Sequence, residues 1–301
     1  MADWDDLRVF LAVARSESLS GAGRTLKLDA ATVGRRIARL ELALGVPLFV
    51  KSPQGYALTD AGARLLPRAE QAEQAVSGAA EELGAASGQF SGQLRIGAPD
   101  GCANYLLPQV CAALCDAHPG LEIQIVALPR VFNLSKREAD MAVAVSPPAA
   151  GRLLVQRLTD YRLHLVASRA YLARHPPISR IADLSGHRMI GYIPDMIFDK
   201  ELDYLGVTGV DAVGLSSNSV PVQLMALRAG AGVGIAHDFA LPFAPELERI
   251  LTKEVSLTRA FWLIRHADDQ RSDRHRRLAE ALGQGIRREV ARLEAAVENL
   301  A

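Results

Sequence analysis

A two-part α/β chain is predicted, on three observations. Residues 7–62 carry three short helical runs followed by a turn-centred hairpin. A long helical run with a continuous apolar stripe extends from Thr59 to about Ala85. Beyond residue 92, short apolar runs alternate with helical ones to the end of the chain, the pattern of largely parallel sheets covered by helices.

The elements follow in order. Leu7, Phe10, Leu11 and Ala14 recur at helical spacing and predict a first amphipathic helix. Ser18 is placed to cap a second helix running to about Leu26, in which Gly21 and Gly23 lower the intrinsic propensity. Asp29 is a good N-cap for a third helix, Ala30 to about Leu44, with Val33, Ile37, Leu40 and Leu44 as its apolar side and Gly45 as its stop. Leu48–Val50 and Tyr56–Leu58 flank Ser52-Pro53-Gln54-Gly55 and read as a hairpin. Thr59 caps the fourth helix, whose stripe is Leu65, Leu66, Ala69, Ala72, Val76, Ala80 and Leu83. A lone helix of that length needs a partner. Its own domain would serve; a second copy of the chain is the reading favoured here.

Ser87–Gly92 is a composition break and reads as a hinge. Strands are then predicted at Leu94–Ala98, Leu121–Ala127, Met141–Val145, Arg162–Ala167, Met189–Tyr192, Val213–Leu215, Val233–Ala236 and Ala260–Arg265. Helices are predicted at Asn104–Ala117, at Val220–Ala229 and from about Ser272 onward. The domains expected are 1–60, a linker helix at 61–86, the hinge at 87–92 and a second domain at 93–301.

Bulk properties narrow the function. The chain has 301 residues, enough for two or three domains. Lys plus Arg number 34 and Asp plus Glu number 34, so the net charge is zero. That argues against a uniformly basic surface but permits a local basic patch. Cys102, Cys111 and Cys115 are too few and too oddly spaced for a disulfide framework or a zinc site. The acidic start MADWDDLRVF has no signal pattern, and no run approaches the ~18 apolar residues of a membrane span. A cytoplasmic protein without metal or resident cofactor is expected. No nucleophile elbow, paired metal ligands or phosphate loop stands out, so an enzyme is not expected.

Three short helices and a hairpin within some 60 residues form the ground plan of a winged helix-turn-helix, whose third helix enters the DNA major groove. Thr32, Arg35, Arg36 and Arg39 lie off the apolar stripe of that helix, with Ala31 and Gly34 on or beside the same surface. Arg offers two hydrogen bonds to guanine, and Thr a hydroxyl or a methyl. Lys51 at the hairpin is a further phosphate contact. Alone, such charges would read as a solvated face; the turn before them and the hairpin after them point to double-stranded DNA.

This segment, LRVFLAVARSESLSGAGRTLKLDAATVGRRIARLELALGVPLFVKSPQGYALTDAG, resembles the DNA-binding domain of the LysR-type transcriptional regulators over residues 3–85. Phe10, Ala14, Ser18, Ala22, Leu26, Ile37, Leu40, Glu41, Leu44, Gly45, Leu48, Phe49, Leu58, Thr59 and Gly62 carry the match. The sequence departs from the family where Asp29 and Gly34 replace Ser, where Ala30-Ala31 replace Gln-Pro, and where Lys51 replaces Arg. Ala30 and Gly34 lack polar reach, which shifts recognition toward Arg35, Arg36 and DNA shape. The resemblance implies a C-terminal effector domain like the periplasmic binding proteins, with lobe one at 93–160 and 267–301 and lobe two at 161–266. Its crossovers would lie near Asp160–Leu165 and Leu263–Ala267. It also implies a homodimer through the linker helix, a homotetramer built from it, and contact with RNA polymerase.

Ligands of open α/β sheets bind beyond the carboxyl ends of strands. That rule nominates Pro99, Asp100, Gly101 and Cys102, then Leu128, Pro129 and Arg130, then Ser146, then Ile193 and Pro194, and then Asn218 and Ser219. Ser219 reads as the N-cap of the helix holding Pro221, a geometry that also suits an anionic ligand group. Asn218 is the better candidate for direct contact. Asp100 would repel an anion or hold a cation. His237 follows a strand and could face the cleft or be structural. The Gly-rich Ala229–Gly234 stretch lies after a helix and before a strand, the reverse of a dinucleotide loop, so it reads as a helix stop. A small-molecule effector is therefore expected. Two alternatives remain: a ligand-independent regulator, and a thiol redox sensor using Cys102 on its loop near a helix N-terminus. Cys111 and Cys115, four apart on one helix face, read as small core residues. A solute-binding protein is a further alternative for residues 93–301 alone.

Overall fold

The computed structural model describes residues 3–52, 55–84, 89–127, 139–149, 151–204, 206, 208–210, 213–267 and 272–298. The chain divides into two compact units, Met1–Gly88 and Gln89–Ala301.

In the first unit, α1 (Trp4–Ser16), α2 (Leu19–Leu26) and α3 (Ala30–Leu44) are capped by the side chains of Asp3, Ser18 and Asp29. Each cap satisfies a backbone N–H that the helix itself leaves free. Strands β1 (Phe49–Ser52) and β2 (Gly55–Leu58) pair antiparallel, with Lys51 opposite Tyr56. The long α4 (Asp60–Gly84) starts where the Thr59 hydroxyl accepts from the Gly62 amide at 3.0 Å. Phe10, Leu11, Val13, Val33, Ile37 and Leu40 form the core, and the Phe10 and Phe49 rings lie 5.3 Å apart. The buried side of α1 is wider than its predicted stripe and includes Val9 and Val13. Leu44 was expected to be inward and is exposed. It is the last residue before Gly45, whose positive φ of 72° turns the chain away from the core.

The second unit is built on one nine-stranded sheet. Its strands are β3 (Ser91–Ala98), β4 (Gly120–Ala127), β5 (Met141–Ala144), β6 (Leu153–Ser168), β7 (Met189–Gly191), β8 (Leu215–Ser216), β9 (Val233–His237), β10 (Leu247–Arg249) and β11 (Ser256–His266). The order is β4-β3-β5-β11-β6-β9-β7-β8, with β10 paired to β6. The outer groups β4-β3-β5 and β9-β7-β8 are parallel within themselves. Two long antiparallel strands join them: β11 pairs with β5 and β6, and β6 pairs with β11 and β9. The predicted Arg162–Ala167 strand is thus the second half of a 16-residue strand. The crossovers placed near Asp160–Leu165 and Leu263–Ala267 fall in β6 and at the end of β11. Strand β10 was not anticipated.

The predicted Asn104–Ala117 helix begins earlier and comes in two pieces, α5 (Asp100–Tyr105) and α6 (Leu107–Ala117). Pro108 explains the break, since it has no N–H to donate to the preceding turn and suits the start of a new helix. Ser91 and Gly92, read as hinge, belong to β3 and pair with Gly120 and Leu121; residues 85–88 lie outside the described residues. After a short α7 (Arg169–Leu172), α8 (Val220–Arg228) ends at a glycine turn and α9 (Asp273–Glu298) closes the unit. A Cβ at Gly232 would sit 2.2 Å from the Arg188 carbonyl oxygen, so this turn serves close backbone approach. The sheet is covered in part by α9, which buries Leu278, Leu282, Ile286, Val290 and Leu293. Among the described residues, no helix is long and apolar enough to cross a membrane.

Candidate functional site

The candidate DNA-facing surface is assembled from the third helix outward. Asp29 does more than cap it. One carboxylate oxygen accepts from the Thr32 amide and the other from the Thr32 hydroxyl, both at 2.7 Å, and Arg35 Nη2 donates to that hydroxyl at 2.8 Å. The Thr32 bonds hold the Asp29 carboxyl below its ordinary range. Arg35 is exposed on this frame and Ala31 is exposed one turn earlier. Arg36 is half-buried and lies 3.5 Å from Asp5 of α1. Lys51 stands exposed on β1. A Cβ at Gly34 would meet Leu19 of α2 at 3.4 Å, so this position faces α2 at ordinary contact distance.

Arg39 has a structural task that its spacing did not suggest. Its Nε and Nη2 donate to both oxygens of Asp6 at 2.6 and 2.5 Å. Asp6 is buried on the inner face of α1, where an unpaired carboxylate would be costly. Arg39 therefore braces α3 on α1, while its side chain stays 58% exposed. The sequence held a signal for this: Asp6 lies three and four residues before Val9 and Phe10, on the buried face, and a carboxylate there needs a cation. Glu41 and Glu73 act similarly. Glu41 Oε1 accepts from the Leu48 amide at 2.7 Å, tying the wing to α3, and Arg15 Nη2 donates to Glu73 at 2.6 Å, tying α1 to α4.

In the second unit, Asp100, Gly101 and Cys102 meet Asn218 and His237 around one small cavity of about 20 Å³. Residues of β6, β9 and β11 and the first residues of α5 and α8 line it. Reading strand ends thus located six of the nominated residues, Pro99 included. It did not find the aromatic walls: Tyr161, Tyr192, Phe198 and Phe261 line the same space. As apolar residues in or beside strands they read as plain core, and no sequence signal separates the two roles.

Other nominated residues are elsewhere. Ser146 donates to the Asp199 carboxylate and is used in that bond. Ile193 and Pro194 open a 3-10 turn at Pro194–Met196, with Pro194 exposed, and do not line the cavity. Leu128, Pro129 and Arg130 lie outside the described residues. Ser219 precedes α8 without capping it, since its side chain makes no cap hydrogen bond. The cap comes from a residue distant in sequence: Asp100 Oδ2 accepts from the Val220 amide at 3.0 Å. The other Asp100 oxygen accepts from Asn104 Nδ2 at 2.7 Å.

His237 ends β9 and is buried. Its Nε2 lies 3.5 Å from the Tyr204 hydroxyl, and its ring stacks with Tyr161 at 5.5 Å. Burial pulls its pKa down to about 4, so the imidazole is neutral at neutral pH. The next residue, Asp238, is fixed by His164 at 2.8 Å and Arg249 at 3.2 Å, which anchors the turn that places His237. Neither the Tyr161 hydroxyl nor His237 Nδ1 has a hydrogen-bond partner. The Tyr161 and Tyr204 hydroxyls influence each other without the geometry of a hydrogen bond.

Cys102 is not on a loop. It is the third residue of α5, fully buried, and burial pushes its thiol well above the ordinary range. The expected lowering by a helix N-terminus is overridden by desolvation, so this thiol stays protonated. Cys111 is buried too, its thiol pushed up to about 12, first by burial. It behaves as the small core residue expected. Among the described residues, no group of His, Cys, Asp and Glu is arranged to hold a metal.

Two family matches decide the identity. Residues 4–63 match the "Bacterial regulatory helix-turn-helix protein, lysR family", and residues 87–287 match the "LysR substrate binding domain". The chain belongs to the LysR family. This LysR-type transcriptional regulator is 28% identical over 238 residues to the HTH-type transcriptional regulator PtxR of Pseudomonas aeruginosa, covering 77% of this chain and 76% of that one. It is 26% identical over 297 residues to a probable hydrogen peroxide-inducible genes activator of Mycobacterium avium, covering 93% of each. Among solved structures, it is similar in fold to CrgA of Neisseria meningitidis, with a TM-score of 0.58 and 24% identity over 93% of this chain and 98% of that one. A full-length OxyR variant from Pseudomonas aeruginosa gives a TM-score of 0.70 at 20% identity, covering 95% and 98%. Membership makes the LysR chain a DNA-binding transcriptional regulator with an effector-binding domain. Its helix-turn-helix head lies within residues 4–63.

Proposed function

We propose that the regulator binds a partly palindromic DNA site as a homodimer and that a small organic molecule in the Asp100–His237 cavity changes that binding. The carrying observation is Arg35, exposed on α3 and held by the Asp29–Thr32 hydrogen bonds. A preset guanidinium on a groove-docking helix suits bidentate contact with guanine. Arg36 and Lys51 supply phosphate contacts on either side. Val76, half exposed on α4, supports a second copy packing along that helix. Paired heads then read two half-sites, and ligand-driven changes in the effector domain alter their spacing by population shift.

Finer points belong to the same reading. Two such dimers form a tetramer, the bound complex contacts RNA polymerase, the protein works in the cytoplasm, and it carries no resident cofactor and catalyses no reaction.

Footprinting on the duplex upstream of its own gene tests the reading. The expected result is two protected stretches separated by whole turns of the double helix, lost in Arg35→Ala. Protection of a single stretch would overturn the dimer, and uniform weak protection would overturn specific reading.

A further inference from the structure

Each arginine of α3 is matched by an acidic residue of the first unit. Arg36 lies 3.5 Å from Asp5, and Arg39 Nε donates to Asp6 at 2.6 Å. Arg35 is reached through a relay. Its Nη2 donates to the Thr32 hydroxyl at 2.8 Å, and that hydroxyl donates to Asp29 Oδ2 at 2.7 Å. Asp29 Oδ1 accepts from the Thr32 amide at 2.7 Å and caps the helix. Capping needs one oxygen, which a serine would also supply. The second oxygen does something a cap does not require. A threonine hydroxyl has one hydrogen; Asp29 takes it, so the lone pairs of that hydroxyl are left to receive Arg35. Arg35 also acts on the Asp29 carboxyl through space.

We infer that Asp29 is a specificity-determining residue of the DNA head: acting through Thr32 it holds Arg35 for one guanine, and as a negative charge beside that guanidinium it weakens binding to DNA of any sequence. The inference rests on the reading of Arg35 given above and deepens it. Asp29 is a positioning residue, with no base contact of its own.

Two effects follow from one carboxylate. A guanidinium has five N–H donors, so with one directed to Thr32 the others suffice for the paired O6 and N7 acceptors of guanine. A side chain already held loses less freedom on making that pair than a free one. A free arginine also reaches phosphates, which carry no sequence. The charge works in the same direction. Attraction to the phosphate backbone grows with the positive charge brought to it, and Asp29 offsets that of Arg35. Asp6 is buried and braces α3 on α1, so its removal would perturb the fold. Asp29 is exposed, and Ser or Asn there keeps a cap.

Base analogues test the assignment. The full-length protein selects a binding duplex from a randomised pool. That duplex is rebuilt with 7-deazaguanine, which lacks the N7 acceptor, at one guanine at a time. Binding is followed by fluorescence anisotropy, beside a random duplex, over a salt series. The guanine whose 7-deaza penalty vanishes in Arg35→Ala is the one Arg35 reads. That penalty is expected to be roughly tenfold or more in the unsubstituted protein and about threefold or less in Asp29→Ser and Asp29→Asn. The same two variants bind the random duplex about three- to tenfold tighter, with a salt slope steeper by about one unit. Thr32→Val keeps the charge, removes the hydroxyl and loses the penalty; Thr32→Ser restores the hydroxyl and regains it. A residue that only capped α3 would leave the penalty in place in Asp29→Ser. An Arg35-dependent guanine whose penalty is unchanged in both Asp29 variants, or random DNA bound no tighter by them, overturns the assignment and leaves the Arg35 reading standing. A pool that yields no preferred duplex, or a duplex with no guanine dependent on Arg35, overturns the Arg35 reading and the assignment together.

Discussion

Arg35 on α3 and Lys51 on β1 stand in solvent on a frame of buried apolar side chains and satisfied caps. Around the cavity of the second unit, Tyr161 and His237 are buried with polar atoms unpartnered, and the charged Asp100 is engaged twice. The first surface is complete as it folds: its polar groups are set and its partner is a long polyanion that meets them from outside. The second is a core with polar groups left over, which a small molecule can satisfy. A surface site tolerates change in its reading residues with little loss of fold, whereas a cavity site shares its residues with the core.

The largest expected effect separates the two units. Phe10 is fully buried against Phe49, and Phe10→Ala should destabilise the first unit by about 3–5 kcal/mol. The chain has two tryptophans, Trp4 in the first unit and Trp262 in β11 of the second. Urea unfolding followed in Trp4→Phe and Trp262→Phe backgrounds reads each unit alone. The Trp4 transition should collapse while that of Trp262 holds; a joint shift would break the comparison by making the units one cooperative body.

The second effect concerns pH and belongs to the cavity. His237 has a folded pKa of about 4 against an ordinary 6.5, so the unfolded chain binds its proton first as pH falls. The neutral imidazole's contribution is complete above about pH 6.5 and is lost as pH drops toward about 4, by up to about 3 kcal/mol. The Trp262 transition should show this loss, and His237→Gln should flatten it. An unchanged pH profile in the variant would place the titration elsewhere.

Smaller effects sharpen the DNA surface. Arg35→Ala should weaken specific DNA by about 1–3 kcal/mol, or roughly 10–100-fold, and relax discrimination at one base pair. Lys51→Ala should weaken all duplexes alike and lower the salt slope by about one unit. Binding isotherms at several salt concentrations distinguish the two, and equal loss on specific and random duplexes in Arg35→Ala would assign Arg35 to phosphate. The smallest effect is at Gly34, where a Cβ meets Leu19 at ordinary distance. Gly34→Ser should change stability by about 0.5 kcal/mol or less, as judged from the Trp4 transition. A larger loss would mean that α2 and α3 need glycine there.

The same contrast explains what was legible in the sequence. Asp29, Ser18 and Thr59 announce helix starts through local hydrogen bonds, and the helix-turn-helix follows from spacing within 60 residues. Spacing did not reveal that Arg39 has a non-local partner, the buried Asp6, or that Leu44 at the end of α3 is exposed. In the second unit the strand-end rule reached Asp100 and His237, since that rule concerns topology. It gave Asp100 no cap to make, because the Val220 amide lies 120 residues away and Ser219 stood next to it in sequence. The aromatic walls were invisible for a different reason: Tyr161 and Phe261 lie on β6 and β11, where a large apolar side chain serves core and cavity alike. Pro108 was visible, and its breaking of the α5–α6 helix was foreseeable from chemistry alone.

The central claim is that a preset Arg35 reads a specific duplex. Fluorescence anisotropy of a labelled upstream duplex, competed by random DNA across a salt series, tests it most directly. The account predicts that specific binding outlasts random binding by at least about a thousandfold at physiological salt, with most of one base pair's discrimination lost in Arg35→Ala. Random DNA competing as well as the upstream duplex, with Arg35→Ala indistinguishable from the unsubstituted protein, would contradict it.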